Sequence, residues 1–169
     1  MLSEAEKRRH RCCFTGHRPE KLAQSEAEVK DWLRLQIERA VADGYTTFVT
    51  GMAMGVDIWA GQIVAEMKKD DPRLHLIAAV PWRSFSSRWH QAWKDQYNDL
   101  IKRVDIVKNI RNQYAPEVFQ ERNEWMVDHS NRLIAYYNGA PGGTMSTVNY
   151  AINTAGIEVV VGGTTGVES

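Results

Sequence analysis

Thr50-Gly51-Met52-Ala53-Met54-Gly55-Val56-Asp57 is the stretch whose reading decides the fold of this chain. It follows Tyr45-Thr46-Thr47-Phe48-Val49, a run rich in β-branched and aromatic residues that predicts a buried strand. It precedes Ile58, Ile63, Val64 and Met67, which fall near helical spacing. Glycines between a strand and a helix let backbone N–H groups approach a bound group, and the positive end of the helix dipole favours an anion there. The stretch therefore reads as a phosphate-accepting turn. A plainer reading stays open beside it. Gly51 can simply relieve a tight turn, and Asp57 can act as a first-turn carboxylate that caps the helix or favours its dipole.

Upstream, Arg11-Cys12-Cys13-Phe14 reads as a first strand running into Thr15-Gly16-His17-Arg18-Pro19. Pro19 biases Arg18 towards an extended backbone. Ser25 and Glu28 have capping-box spacing, and Val29, Trp32, Leu33, Ile37, Ala40 and Val41 then share a helical face that stops at Gly44. Downstream, Leu74 to Val80 is a nearly continuous apolar run, as in an interior parallel strand. Trp89, Trp93, Tyr97, Leu100 and Ile101 follow a helical stripe, and Val104 to Ile110 predicts another strand. Pro116 suits the opening of a helix over Glu117 to about His129. Leu133 to Tyr137 predicts the next strand, followed by Asn138-Gly139-Ala140-Pro141-Gly142-Gly143-Thr144. Val148, Ala151, Ile152 and Ala155 mark a final helix closed by Gly156. Ile157 to Val161 is the last strand, and Gly162 to Ser169 reads as a loose tail.

Strands alternating with helices predict an α/β fold, Rossmann-like, with a mostly parallel sheet and helices on both faces. In such a sheet the segments after the strands emerge on one rim, where ligands bind. Thr15 to Arg18, Thr50 to Asp57, Pro81-Trp82-Arg83 and Gly139 to Thr144 all follow predicted strands. Their convergence on one edge, more than any single motif, carries the functional expectation.

The chain of 169 residues suits a single domain with its core at about 11–161 and short terminal tails. Hydrophobic residues at 43% and charged residues at 25% match an ordinary soluble globular protein. With 21 basic and 21 acidic residues, a globally basic surface for nucleic acid is excluded, although a local patch is not. The apolar runs are too short to span a bilayer, and the charged start, Met1 to Arg11, is not a secretory signal. Cys12 and Cys13 are neighbours in a predicted strand, so they point to opposite faces and are poorly placed to pair. Buried thiols fit a reducing cytoplasm, and two adjacent thiols do not make a zinc site.

Gly142 and Gly143 with Thr144 form a second candidate anion cradle ahead of a helix, with Ser146 and Thr147 as further hydroxyl donors. Thr144 or Ser146 serves equally well as an N-cap. Arg18 can neutralise a phosphate or stand free beside its proline turn. Arg122 shares a helical face with Val118, Phe119, Trp125 and Met126 and should look inward. A buried arginine is rarely unpaired, so it should meet a carboxylate or a ligand. Asn123 and Asp128 can bind hydroxyls or solvate the helix. Trp82 can stack on a base or belong to the core, and His17 reads as a hydrogen-bonding residue. No serine–histidine–carboxylate pattern, metal-ligand cluster, phosphate loop with its lysine or Gly-x-Gly-x-x-Gly fingerprint is readable. No metal or cofactor is therefore expected.

Thr15-Gly16-His17-Arg18-Pro19, Gly51 to Asp57, Arg122-Asn123-Glu124-Trp125-Met126-Val127-Asp128 and Gly142-Gly143-Thr144 occur in the order seen in YpsA-like proteins. Over roughly residues 11–161 the chain resembles this family of the SLOG superfamily, named for Smf/DprA and Lonely Guy proteins. The resemblance implies a Rossmann-like fold and a site for nucleotides or nucleotide-derived small molecules, in a bacterial, cytoplasmic and regulatory setting. The ligand-binding set implied is Gly16, Arg18, Gly51, Gly55, Asp57, Arg122, Asn123, Gly142, Gly143 and Thr144. Arg122 and Asp57 are the candidates for catalysis.

Two relatives point to different activities. Gly51 to Asp57 is similar to the glycine-rich motif of DprA, which handles single-stranded DNA, but the neutral net charge makes nucleic acid an unfavoured partner here. Lonely Guy enzymes cleave the bond between a base and ribose 5-monophosphate with an arginine and a glutamate. Their Pro-Gly-Gly-x-Gly-Thr-x-x-Glu motif resembles Pro141 to Asn149, with Met145, Ser146 and Asn149 replacing the later glycine, the threonine and the glutamate. Asn149 cannot supply the negative charge that stabilises a developing sugar cation. Asp57 or Asp128 would have to substitute. The expected role is thus a binding or sensor protein, with a nucleoside 5'-monophosphate hydrolase and a strand-binding module as alternatives. Apolar helix faces leave a homo-oligomer open.

Overall fold

Cys12 and Phe14 of β1 (Arg11–Gly16) pack into one apolar layer, and Cys13 between them packs into another. That alternation, repeated along the neighbouring strands, builds two cores on one sheet. The chain is described here by a computed structural model, which covers residues 1–164. Both thiols are fully buried and unpaired, on opposite faces as alternation requires. Burial pushes the Cys12 thiol well above its ordinary range and Cys13 up to about 12.

The remaining elements are α1 (Glu4–Arg8), α2 (Glu26–Ala42), β2 (Thr47–Thr50), α3 (Val56–Lys68), β3 (His75–Val80), α4 (Gln91–Ile101), β4 (Ile106–Asn109), α5 (Val118–Asp128), β5 (Arg132–Tyr136), α6 (Gly143–Tyr150) and β6 (Glu158–Gly162). The strands lie in the order β4-β3-β2-β1-β5-β6, every neighbouring pair parallel. The larger core sets Val29, Leu33 and Ile37 of α2, much of α3, and Tyr97 and Leu100 of α4 against Phe14, Phe48 and Leu76. The smaller core sets Met126 and Val127 of α5 and Val148 of α6 against Cys13, Val49 and Leu133. Helices thus cover both faces of an all-parallel, Rossmann-like α/β sheet. None among the described residues is long and apolar enough to cross a membrane.

Several local expectations shift. The N-terminal segment, read only as charged, forms α1 with a complete capping box between Ser3 and Glu6. At α2 only half of the box forms, the Ser25 hydroxyl accepting from the Glu28 N–H. The strand expected over Val104 to Ile110 shrinks to four exposed residues at the sheet edge, because it has a neighbour on one side only. Trp89 sits before α4, in the turn segment after β3. The last helix begins at Gly143 and widens into a π-helical turn over Ala151–Ala155, leaving Ile152 exposed. Gly156 closes it in the left-handed conformation, as its position suggested. Gly162, expected in the tail, ends β6, and tail residues 165–169 lie outside the described residues.

From β1 the chain builds outward to β4 on one side, then returns to place β5 and β6 on the other. The order reverses between β1 and β5. A crevice at the carboxyl ends of two such strands is where open α/β sheets bind ligands.

Candidate functional site

The corner after β2 is held by Thr50, whose hydroxyl donates to the Asp57 carbonyl at 2.7 Å and accepts the Met52 N–H at 3.3 Å. Met52 takes a φ of +61°, rare for a side chain with a Cβ, while Gly51 next to it does not. Gly51 is there for space. A Cβ on it would stand 2.8 Å from Asp57 Oδ2 and 2.9 Å from the Arg122 guanidinium. Gly55 has both needs. Its φ is +92°, and its missing Cβ would meet the His17 carbonyl at 2.8 Å. Gly16 is equally enclosed, with Val56 Cβ at 2.5 Å from the position a Cβ would take. Gly16 and Gly55 let the first two corners pack directly on one another, while Gly51 makes room for Asp57 and Arg122.

The corner after β5 is fastened to the corner after β1 by His17, which is buried. Its Nε2 meets Asn138 Oδ1 at 2.9 Å, and the same oxygen accepts the Ala140 N–H. Nε2 must therefore carry the proton, leaving Nδ1 to face the Thr144 hydroxyl at 3.5 Å. His17 is a clamp between corners, in keeping with a hydrogen-bonding role. Beyond it Gly142, at φ +149°, starts α6 with no side-chain cap, and neither Gly142 nor Gly143 has another group within 4 Å of its Cβ position.

These corners enclose a cavity of about 170 Å³. Thr15, Gly16 and Arg18 reach it from β1, Ala53, Met54 and Asp57 from β2, Arg122 and Asn123 from α5, and Gly143 and Thr144 from α6. The segments after Val49 and after Asn138 therefore meet on one side of the molecule. Gly51 and Gly55 are buried outside the lining, and Gly142 is exposed at the start of α6. Asn149 is exposed outside it, as is Asp128, which accepts the Tyr150 hydroxyl at 2.7 Å.

Arg122 and Asp57 are 5% and 4% exposed. Arg122, read as meeting a carboxylate or a ligand, donates from Nη1 to the Gly51 carbonyl at 2.6 Å and from Nε to Asn123 Oδ1 at 2.9 Å. The Asp57 carboxylate acts on it across Gly51 without a direct hydrogen bond. Burial pushes the Asp57 carboxyl up to about 6, against the opposing pull of Arg122 and of the Ala53 N–H, which donates to Oδ2 at 3.3 Å. Burial likewise lowers Arg122, and Asp57 opposes that shift. The result is a cation with spare donors and a carboxylate with a spare acceptor on one wall.

A larger cavity of about 540 Å³ adjoins the first and shares Arg18, Phe85, Trp89 and Phe119 with it. Its walls are aromatic and basic, with Arg88, Ser84 and Ser87 standing beside the rings. Trp82 packs edge-on against Phe85, Tyr114 and Phe119 with centroids 5.4–5.8 Å apart, and Phe85 against Trp89 at 4.9 Å. Trp82 is neither core nor free. Sequence reading missed Phe85, Tyr114 and Phe119 as lining residues and set Trp89 on a helical stripe, whereas it precedes α4, lines the chamber and packs against the larger core. The available signal was the crowding of Trp82, Phe85 and Trp89 into the loop after β3. Among the described residues no group of three or more His, Cys, Asp or Glu side chains could hold a metal ion.

Comparison with known proteins agrees with this architecture. A family model described as the YspA SLOG family matches residues 12–160. The uncharacterized SPbeta prophage-derived protein YoqJ of Bacillus subtilis (strain 168) is 30% identical, over 75% of this chain and 82% of the relative. UPF0398 protein BH1768 of Halalkalibacterium halodurans is 27% identical over 70% of this chain, which spans 64% of that relative's length. Among solved structures, DNA processing protein A (DprA) of Streptococcus pneumoniae superposes with a TM-score of 0.63 at 17% identity, covering 90% of this chain and 50% of that one. DprA of Helicobacter pylori, whose single-stranded DNA binding mode has been described, gives 0.63 at 16% identity, covering 94% and 66%. At those identities the likeness is one of fold. The family match spans the sheet and every corner of the cavity, and by it the chain belongs to the YspA SLOG family.

Proposed function

We propose that the protein binds a nucleotide or a nucleotide-derived small molecule at the crevice between β1 and β5, as a sensor or regulatory component. The observation that carries this reading is the junction of two unlike compartments. One side offers the uncapped start of α6, with open space at Gly142 and Gly143 and with Arg18 beside it, a setting for a phosphate. The other offers aromatic faces and edges on which a base can pack. At about 170 Å³ the first cavity is smaller than the roughly 300–1,000 Å³ typical of ligand sites, and the adjoining one at about 540 Å³ is within that range. A ligand that engages the glycine corner must extend into the aromatic chamber.

Calorimetry against nucleoside mono- and diphosphates and ADP-ribose-like compounds tests this. Saturable binding is expected, weakened about tenfold or more by Arg18→Ala and by Trp82→Ala, since a charge-assisted contact contributes roughly 1.5–3 kcal/mol. Neither residue is fully buried, so both variants should fold. Absence of binding across the panel, or unchanged affinity in both variants, removes the reading. Because a DprA neighbour binds single strands, oligonucleotides belong in the same panel. With no net charge to neutralise a backbone, they should bind more weakly than mononucleotides at 150 mM salt.

Asp57 supports a second reading, hydrolysis of a nucleoside 5'-monophosphate. It sets a carboxylate on the cavity wall beside Arg122, which Asn149 cannot supply. Cleavage of the C1'–N bond would build positive charge on the sugar that Asp57 stabilises, water adding at C1' and the base leaving protonated. Chromatographic release of free base, abolished by Asp57→Asn, would establish turnover. Intact nucleotide after prolonged incubation would leave binding alone.

A further inference from the structure

The aromatic chamber carries more charge than a base needs. Arg18 and Arg88 both line it, with Ser84 and Ser87 beside them, and no carboxylate does. The whole chain balances 21 basic residues against 21 acidic ones, so this wall is a local excess of positive charge. Arg18 also borders the small cavity, where the nucleotide reading sets a phosphate near Gly143. Arg88 borders the chamber alone. Elsewhere Arg111 and Arg132 meet carboxylates, and Arg122 lies over the Phe119 ring at 5.9 Å. Arg88 is exposed and meets neither an acid nor a ring face among the described residues, so its guanidinium is open to a ligand.

The ligand group that suits this wall follows from its donors. A guanidinium and two hydroxyls on exposed side chains all offer hydrogen atoms to an anion, and the arginine fork matches phosphate oxygens. A neutral base packed on the rings leaves that charge unused. A phosphate drawn into the small cavity leaves it unused as well, because Arg88 does not line that cavity. We infer that the ligand carries a second phosphate, held at the chamber wall by Arg88 with Ser84 and Ser87, in addition to the one at the start of α6. The inference rests on the nucleotide reading above and narrows it to nucleotides with two phosphates. Two adjacent phosphates, as in a 5'-diphosphate, share this chemistry with two placed across the sugar, as in a 3',5'-bisphosphate.

The test measures, by calorimetry at one salt concentration, the common nucleoside 5'-monophosphates beside their 5'-diphosphates and 3',5'-bisphosphates. At least one two-phosphate series should bind the wild-type protein about fivefold or more tighter than the monophosphates. Which series does so tells whether the second phosphate adjoins the first or lies across the sugar. Arg88→Ala should bring that series to within about twofold of the monophosphates and leave the monophosphates themselves unchanged. Arg83 is exposed in the same loop but outside both linings, so Arg83→Ala should keep the preference. Both arginines are exposed, and both variants should fold. Equal binding of one- and two-phosphate forms by the wild-type protein overturns the inference and leaves nucleotide binding intact. No binding by any of them overturns both. A preference lost equally in Arg83→Ala reports a diffuse field rather than a contact, and overturns the inference. An Arg88→Ala variant that weakens every form alike sets Arg88 against the base or sugar and overturns it too.

Discussion

The two glycine corners, after β2 and after β5, look alike in sequence and differ in what their glycines face. At Gly51 and Gly55 an added Cβ would collide with the protein's own atoms at 2.8 Å, and at Gly16, in the corner after β1, at 2.5 Å. At Gly142 and Gly143 it would meet nothing within 4 Å. The corner after β2 is therefore closed. Its glycines serve internal packing, and Asp57 already brings a negative charge to the first turn of α3. The corner after β5 is open, and its bare backbone faces the cavity mouth. A glycine-rich strand-to-helix turn becomes a candidate anion site only where the space freed by the absent side chain stays empty.

The largest effect should come from filling the closed space between the corners after β1 and β2. Gly16→Ala drives a methyl into buried Val56, and Gly55→Ala adds positive-φ strain to a clash with the His17 carbonyl. Each should lose about 3 kcal/mol or more in urea unfolding. Midpoints within error of wild type would remove the contrast between the corners.

Next in size is a pH effect. Asp57 titrates higher in the folded protein, at about 6, than its ordinary 3.8. Its contribution favours folding below the ordinary value and is lost as pH rises through about 6. Arg122 on α5 is the charged group set against it, and Cys13 on β1 stays neutral in this range. Relative to Asp57→Asn, wild-type stability should fall by about 2–3 kcal/mol between pH 4 and pH 7. Parallel stability profiles for the two proteins would show that Asp57 is not desolvated.

The smallest stability change belongs to the open corner. Gly143→Ala should leave unfolding within about 0.5 kcal/mol of wild type. Nucleotide affinity should nonetheless fall several-fold, because the new methyl stands where a phosphate would approach the backbone. A variant that loses stability as heavily as Gly55→Ala would erase the difference between the two turns.

The fold was legible because its signals are repetitive. Alternating apolar strands, helical stripes and punctuating glycines recur along the whole chain, so an error at one edge, such as the shortened β4, leaves the topology intact. The site was legible only in part. Arg122 could be placed inward from its helical neighbours, but its hydrogen bond to the Gly51 carbonyl joins residues far apart in sequence and no spacing encodes it. The left-handed backbone falls on Met52, where sequence rules would put it on the preceding glycine. Phe85, Tyr114 and Phe119 become one wall only after the loop following β3 and the start of α5 meet in space. Open and enclosed glycines carry the same letter, and only their surroundings tell them apart.

Cys12 and Cys13 supply a reporter that the chain already contains. Each thiol belongs to a different apolar layer, and both are kept protonated and sealed while the sheet is intact. An alkylating reagent can reach one only when the helices over that face lift away. Which of two adjacent positions acquires label first would therefore tell whether the α2–α3–α4 side or the α5–α6 side opens more readily, from a single tryptic peptide and without a foreign probe.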